Sequence, residues 1–337
     1  MNRLQKAHGN GIATSRPCST MPFELIADDL DEAERILTDV LAPYRSPIAP
    51  LIQHLRHYRG KRLRPALLLL CAKACGSIQP EHHTLAAVVE MIHTATLVHD
   101  DVLDEAETRR HVQTFNHGWG NKISILLGDL LFTHAFHLSS RVDRRACEWI
   151  GQATNRVCAG ELLQVTERGN LHLSETDYFA IIEGKTAALT EVAGRLGAIY
   201  AGASAEVVDA LAAYGRHLGM AFQIADDLLD LTGDTGTVGK TLGTDLEQQK
   251  LTLPLIHALN RLSPQDAEEL RCWIRSNQSR DRIAILNRLE ETDSLQYARR
   301  RAEEFSRNAR ASLAVLTDSE CKAILEMLAA WSIRRNQ

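Results

Sequence analysis

Aromatic residues make up only 5% of the 337-residue chain. With β-branched runs sparse as well, and with no strict alternation of apolar and polar residues between turns, little remains from which to build a sheet. Long hydrophobic runs are also missing. The longest, such as Ala66–Ala72, fall far short of the roughly 20 residues that cross a bilayer. Basic excess is absent too: 38 Lys+Arg against 43 Asp+Glu leave a net charge of −5, and no basic stripe interleaved with aromatics appears. General nucleic-acid binding is therefore not expected. Of the 7 cysteines none forms a CxxC or a paired spacing, so reduced thiols and a cytoplasmic location are expected. His134 and His137 share a helical spacing that suits zinc, but such a pair more often packs than binds metal. No Pro/Gly/Ser-rich linker divides the chain, which predicts one domain over residues 21–337. Residues 1–20 are basic, acid-free and aperiodic, as in a disordered leader. A transit peptide or a true start at Met21 are the alternatives.

What the chain does have is helical periodicity. After Pro43, Pro47 and Pro50 break a first amphipathic helix, apolar residues recur at spacings of three and four almost to the C-terminus. The pattern predicts an all-α protein of about ten to thirteen helices of ordinary length around a central bundle.

Two stretches stand out. IHTATLVHDDVLDEAETRRH (92–111) ends an apolar helix in Asp100, Asp101 and Asp104. On a helix Asp100 and Asp104 stack with Cβ atoms roughly 6 Å apart. Their repulsion amounts to a few kcal/mol at an effective dielectric of about 20, so a cation belongs between them. An exposed acidic helix end would read the same way in isolation, but a second copy argues otherwise. FQIADDLLD (222–230) again ends in aspartates at the same spacing, Asp226, Asp227 and Asp230. Loop-like TGDTGTVGKTLGTD follows, with Lys240 and then Lys250. Two such helix ends facing one cavity would hold metal ions around a polyanion.

Cations complete the pattern. Lys61 and Arg64 lie in GKRLRP at the mouth of a helix that starts near Pro65, where backbone N–H groups add positive potential. His93 is seven residues before Asp100 on nearly the same face, about 10 Å away along the axis. Together with Arg110 these form a candidate second anion pocket that needs no metal, whereas singly each reads as surface charge or a core histidine. Lys185, inside the apolar run IIEGKTAAL, must meet an anion because a buried lysine is costly unpaired.

Taken in order, GKRLRP, IHTATLVHDDVLDEAETRR, EGKTAAL, FQIADDLLD and GKTLGTDLEQQKLTLPL resemble the motif set of the trans-isoprenyl diphosphate synthases, the polyprenyl synthetases, over roughly residues 25–335. The resemblance implies the all-α isoprenoid synthase fold, usually as a homodimer. It also implies condensation of an allylic diphosphate with successive isopentenyl diphosphate units to a linear polyprenyl diphosphate. By resemblance Asp100, Asp104 and Asp226, assisted by Asp230, would coordinate Mg²⁺ (about three ions). Arg109, Lys185, Thr186, Gln223, Lys240 and Lys250 match the positions that hold the allylic diphosphate. Lys61, Arg64, His93 and Arg110 match the isopentenyl diphosphate site. Two departures, Arg59 where the family often has glycine and His111 where glycine often follows the arginine pair, touch loop conformation rather than a charged ligand.

In short-chain relatives a bulky aromatic tends to occupy the fourth and fifth positions before the first aspartate. Here these are Thr96 and Ala95. A tail could then pass Ile92, Val89 and Val88 until Phe132 and Phe136 block it, giving a product of about C30 to C50 at one isoprene unit per helical turn of about 5.4 Å. A C15–C20 synthase is the shorter-chain alternative. A terpene cyclase needs no second diphosphate site, a phosphohydrolase built on His99–Asp100 lacks further histidine ligands, and a noncatalytic subunit would be expected to lose one aspartate cluster. Transient membrane contact for release of a lipophilic product completes the expectations.

Overall fold

The computed structural model describes residues 23–44, 46–58, 60–109, 112–233, 243–276 and 281–334. The leader, Arg59, Arg110, His111 and Lys240 lie outside the described residues. In order the helices are α1 (Ala27–Leu41), α2 (Ala49–Leu55), α3 (Leu63–Cys75), α4 (Pro80–Leu103), α5 (Phe115–Trp119), α6 (Asn121–Val142), α7 (Arg144–Thr166) and α8 (Glu175–Ile182). They continue as α9 (Ala188–Tyr200), α10 (Ala205–Thr232), α11 (Thr244–Glu247), α12 (Leu253–Arg261), α13 (Pro264–Ser276), α14 (Asp281–Glu291), α15 (Ser294–Ser312) and α16 (Glu320–Arg334). The all-α expectation holds. The helices outnumber the expected ones because short pieces too brief for periodicity to reveal, such as the 4-residue α11 and 5-residue α5, add to the long ones. Among the described residues the only strands are a two-residue ribbon, β1 (Thr108–Arg109) against β2 (Val112–Gln113).

Local chemistry sets the long helices. Pro80 opens α4 at a position whose N–H would be orphaned anyway, and the Gln79 N–H donates to His82 Nδ1 at 2.8 Å. Asp143 accepts the Ala146 N–H at 2.6 Å at the start of α7, and Ser174 accepts the Asp177 N–H at 3.1 Å at the start of α8. Helix α4 stops at Asp104, whose backbone leaves the helical region (φ −96°, ψ 0°).

Two apolar clusters form the interior. One gathers α1, α3, α4, α6, α9 and the first half of α10; the other gathers α8, the second half of α10, α12 and α15. Helix α10 runs through both, with Tyr214 and Leu218 in the first and Ile224 and Leu228 in the second. Between α8 and α9 the chain crosses the same boundary in a π-helical turn, Glu183–Ala187. Charged side chains converge where these crossings occur.

Helix α6 packs most extensively along α4. Among the described residues it alone is long and apolar enough to cross a membrane, by length and composition only; 39% of its most apolar window is buried inside the protein.

Candidate active site

Three aspartates at the end of α4 occupy three environments. Asp101 is fully buried. Its Oδ2 accepts the Tyr58 hydroxyl at 2.8 Å, and its Oδ1 accepts Arg109 through Nε (2.8 Å) and Nη2 (2.7 Å). Asp100 faces the π turn, with Lys185 Nζ at 3.8 Å. Burial, followed by the nearby Glu161 and Asp104 charges, pushes its carboxyl up to about 6 against the opposing pull of Lys185. Asp104 accepts Arg168 at 2.6 Å and Lys250 at 3.4 Å.

The π turn places Lys185 because α7 comes unusually near it. A Cβ on Gly160 would lie 2.4 Å from the Lys185 nitrogen, so only glycine permits the approach. Lys185 then meets Glu161 at 2.6 Å, the anion that a buried lysine requires. π turns of this kind recur at functional sites.

At the end of α10 the same division repeats. Asp227 is buried, accepting the Tyr178 hydroxyl at 2.6 Å and the Gln223 amide at 2.8 Å. Burial, with Asp245 and Asp226 nearby, pushes its carboxyl up to about 8. Asp226 is half-buried. Thr186 donates to Gln223 Oε1 at 2.6 Å, tying the π turn to α10. Asp230, expected to assist at a metal, accepts the Gly243 N–H (3.2 Å), the Thr244 hydroxyl (3.0 Å) and the Asp245 N–H (3.1 Å). Orphan N–H groups at the start of α11 take its oxygens.

Lysine links the first cluster to Asp245, the neighbour of Asp227 in the second. Lys250 Nζ lies 3.4 Å from Asp104 and 3.8 Å from Asp245, whose carboxyl burial pushes up to about 6. A pocket lined by Arg168, Lys185, Gln223, Asp227, Asp245 and Lys250 opens between them. Among the described residues no group of three or more acidic, histidine or cysteine side chains is drawn together as a metal site; lysine and arginine ammonium and guanidinium groups lie against the carboxylates instead. The donors are carboxylate oxygens, and burial, with neighbouring carboxylates adding to it, raises Asp100 and Asp245 against the pull of the lysines. That chemistry fits a hard divalent cation such as Mg²⁺.

Arg109, expected at the allylic diphosphate, is paired with Asp101, because a fully buried carboxylate needs a cation. Lys61 and Arg64 flank the start of α3; Lys61 Nζ lies 4.7 Å from the centre of the Trp331 ring of α16, and His93 is half-buried on α4. Ala95 is fully buried, whereas Thr96, Phe132 and Phe136 are half-buried, with the Phe132 ring 5.8 Å from that of His99. Arg110 and Lys240 lie outside the described residues.

Sequence reasoning missed Glu161, Arg168 and Asp245. Glu161 interrupts the apolar run of α7 as Lys185 interrupts its own, so the same argument would have found it. Arg168, just past the end of α7, carries no signal that separates it from surface charge.

The polyprenyl synthetase family model matches residues 46–289. The octaprenyl diphosphate synthase of Escherichia coli is 39% identical over 293 residues, 85% of this chain and 91% of that one. A decaprenyl diphosphate synthase from Rhodobacter capsulatus superposes with a TM-score of 0.87 at 36% identity, covering 93% of this chain and 98% of the other. A polyprenyl synthase from Caulobacter crescentus, solved with calcium and isoprenyl diphosphate, gives 0.88 at 34% identity over 96% of this chain and 100% of its own.

Proposed function

This chain belongs to the polyprenyl synthetase family and is a trans-polyprenyl diphosphate synthase with the isoprenoid synthase fold; from that premise we propose which residues act and how far the product grows. The observation that carries the assignment of roles is the placement of Lys185 beside Asp100 and of Lys250 beside Asp104 and Asp245, both lysines lining one pocket with Asp227.

Asp100, Asp104 and Asp226 are the residues to hold Mg²⁺, which supplies positive charge to the diphosphate oxygens when bound. A relative crystallised with calcium and isoprenyl diphosphate supports this reading. Lys185 and Lys250 take up the negative charge that develops as the allylic C–O bond ionises, assisted by Lys240. Thr186 and Gln223 fix the π turn against α10, and Arg109, anchored by Asp101, holds the allylic diphosphate. Lys61, Arg64, His93 and Arg110 hold isopentenyl diphosphate so that its double bond meets the carbocation. Loss of a proton to the departing diphosphate completes a chain five carbons longer.

The product we propose is long, about C40, since small Thr96 and Ala95 leave a tail room to descend and each buried carbon gains about 0.8 kcal/mol. The protein acts as a cytoplasmic homodimer. Support comes from exposed apolar side chains on α6 and α7, Leu126 and Leu162 at 64% and 67% exposure together with Ile123 and Ile125, which a second copy would cover. Incubation with Mg²⁺, isopentenyl diphosphate and C5, C10, C15 or C20 primers, with chain length read by chromatography, tests the reading. Products of about C40 are expected, and termination at C15 or C20 from every primer would reject the long-chain assignment.

A further inference from the structure

Tyr58 is 3% exposed and ends the 3₁₀ turn after α2, three residues before Lys61. Its hydroxyl donates to Asp101 Oδ2 at 2.8 Å and accepts the Phe115 N–H at 3.0 Å. One phenol therefore joins three segments: the turn leading into the Lys61–Arg64 loop, the end of α4, and the start of α5. Burial and the Asp101 charge hold its pKa far above the ordinary tyrosine value, so it remains a donor.

The neighbourhood is built around this contact. Asp101 passes the constraint to Arg109 through two short bonds. The arm that carries Arg109 is closed by the Thr114 hydroxyl and the Asn116 amide, both donating to the Ala106 carbonyl (2.6 and 3.0 Å). Beneath it the rings of Tyr58, Phe115, Trp119 and His54 pack with centroids 4.8 to 5.9 Å apart. Beyond Gly60 and Lys61 the backbone turns through Arg62 at φ +50°, a left-handed conformation that a non-glycine residue adopts only under constraint.

We propose that Tyr58 is a positioning residue that couples the two diphosphate pockets. It fixes the Arg109 arm through Asp101, and it anchors the chain three residues before Lys61. Neither pocket contains Tyr58, yet both take their placement from its hydroxyl. The inference rests on the assignment of the two pockets given above.

Tyr58→Phe removes the hydroxyl and keeps the ring. Steady-state kinetics with each substrate varied in turn, alongside thermal unfolding, make the test. Wild-type enzyme inactive with every primer would refute the pocket assignment itself, independently of Tyr58. With active wild type, KM is expected to rise roughly tenfold for both the allylic primer and isopentenyl diphosphate, the size of one hydrogen bond to a charged group. The Tm should fall by no more than about 2–4 °C. A lower Tm with both KM values unchanged would reduce Tyr58 to a structural residue and overturn the proposal, and so would a rise for one substrate alone. Asp101→Asn gives a second reading should the first variant fold poorly. It keeps the size of the side chain but weakens its grip on both Tyr58 and Arg109, and unchanged KM values there also overturn the coupling.

Discussion

Asp100 and Asp101 are adjacent in the chain, but a helix turns by about 100° per residue and carries them to opposite fates. Asp100 faces Lys185, which lines the pocket; Asp101 is buried between Tyr58 and Arg109. The two call for different phenotypes. Asp100→Ala and Asp104→Ala are expected to abolish turnover while circular dichroism stays unchanged, because mutual repulsion is relieved and the apolar core is untouched. Activity within about threefold of wild type, less than 1 kcal/mol of barrier, would remove both from the metal-binding role. Asp101→Ala instead leaves a largely buried guanidinium without its carboxylate, and urea unfolding should show a loss of about 3–5 kcal/mol. Equal stability of the Asp100 and Asp101 variants would contradict the division. The string DD marked both as acidic. It could not say which was the anchor, because that depends on Tyr58, 43 residues away.

At the scale of elements, the π turn and the entry to α4 hold the site in register. Gly160→Ala would push a methyl group to 2.4 Å from the Lys185 backbone nitrogen and 2.8 Å from the Gly184 carbonyl carbon, and neither backbone atom can yield alone. A stability loss of about 1–3 kcal/mol is expected. Displacement of Lys185 from Asp100 should also lower kcat/KM for the allylic primer by roughly tenfold or more. Normal kinetics in Gly160→Ala would show that the turn tolerates the shift. At the start of α4, His82 is buried; its Nδ1 accepts the Gln79 N–H, and its Nε2 lies 3.1 Å from the Gly197 carbonyl. Burial lowers its pKa, so the folded chain keeps it neutral while the unfolded chain protonates it near 6.5. The unfolded state therefore gains protons first, and the stability due to His82 is lost as pH falls below about 6.5. Urea unfolding from pH 8 to 5 should show a shallower acid loss in His82→Gln than in wild type. The long helices were legible from periodicity, and Lys185 from its misfit in an apolar run. The π turn was not, since one extra residue per turn leaves no mark on a pattern of three and four.

Across the whole molecule, the remaining question is which way a growing tail leaves the site, and two routes along α4 offer different answers. Nothing in the sequence separates the two apolar clusters, because α9 and α10 keep unbroken periodicity near the boundary between them. One route passes Thr96 and then Ala95, which shares a helix face with His99 against Phe132 of α6. The other leads to a cavity lined by Leu37, Leu41, Met91, Thr94 and Leu131, between α1, α2, α4 and α6. The small residues lie closer to Asp100, and a tail held at the diphosphate end reaches them within about one helical turn of 5.4 Å. Ala95→Phe is therefore expected to shorten the product from about C40 to about C15–C20, since the tail cannot reach the gain of about 0.8 kcal/mol per buried carbon. Phe132→Ala or Phe136→Ala should lengthen it. Ala95 is fully buried, so a ring there also crowds the core, and thermal unfolding must first show the variant folded. Met91→Phe, which narrows the cavity bordered by α1 and α2, should leave product length unchanged. The reverse pattern, with Met91→Phe shortening the product and Ala95→Phe leaving it alone, would place the tail between α1 and α4 instead.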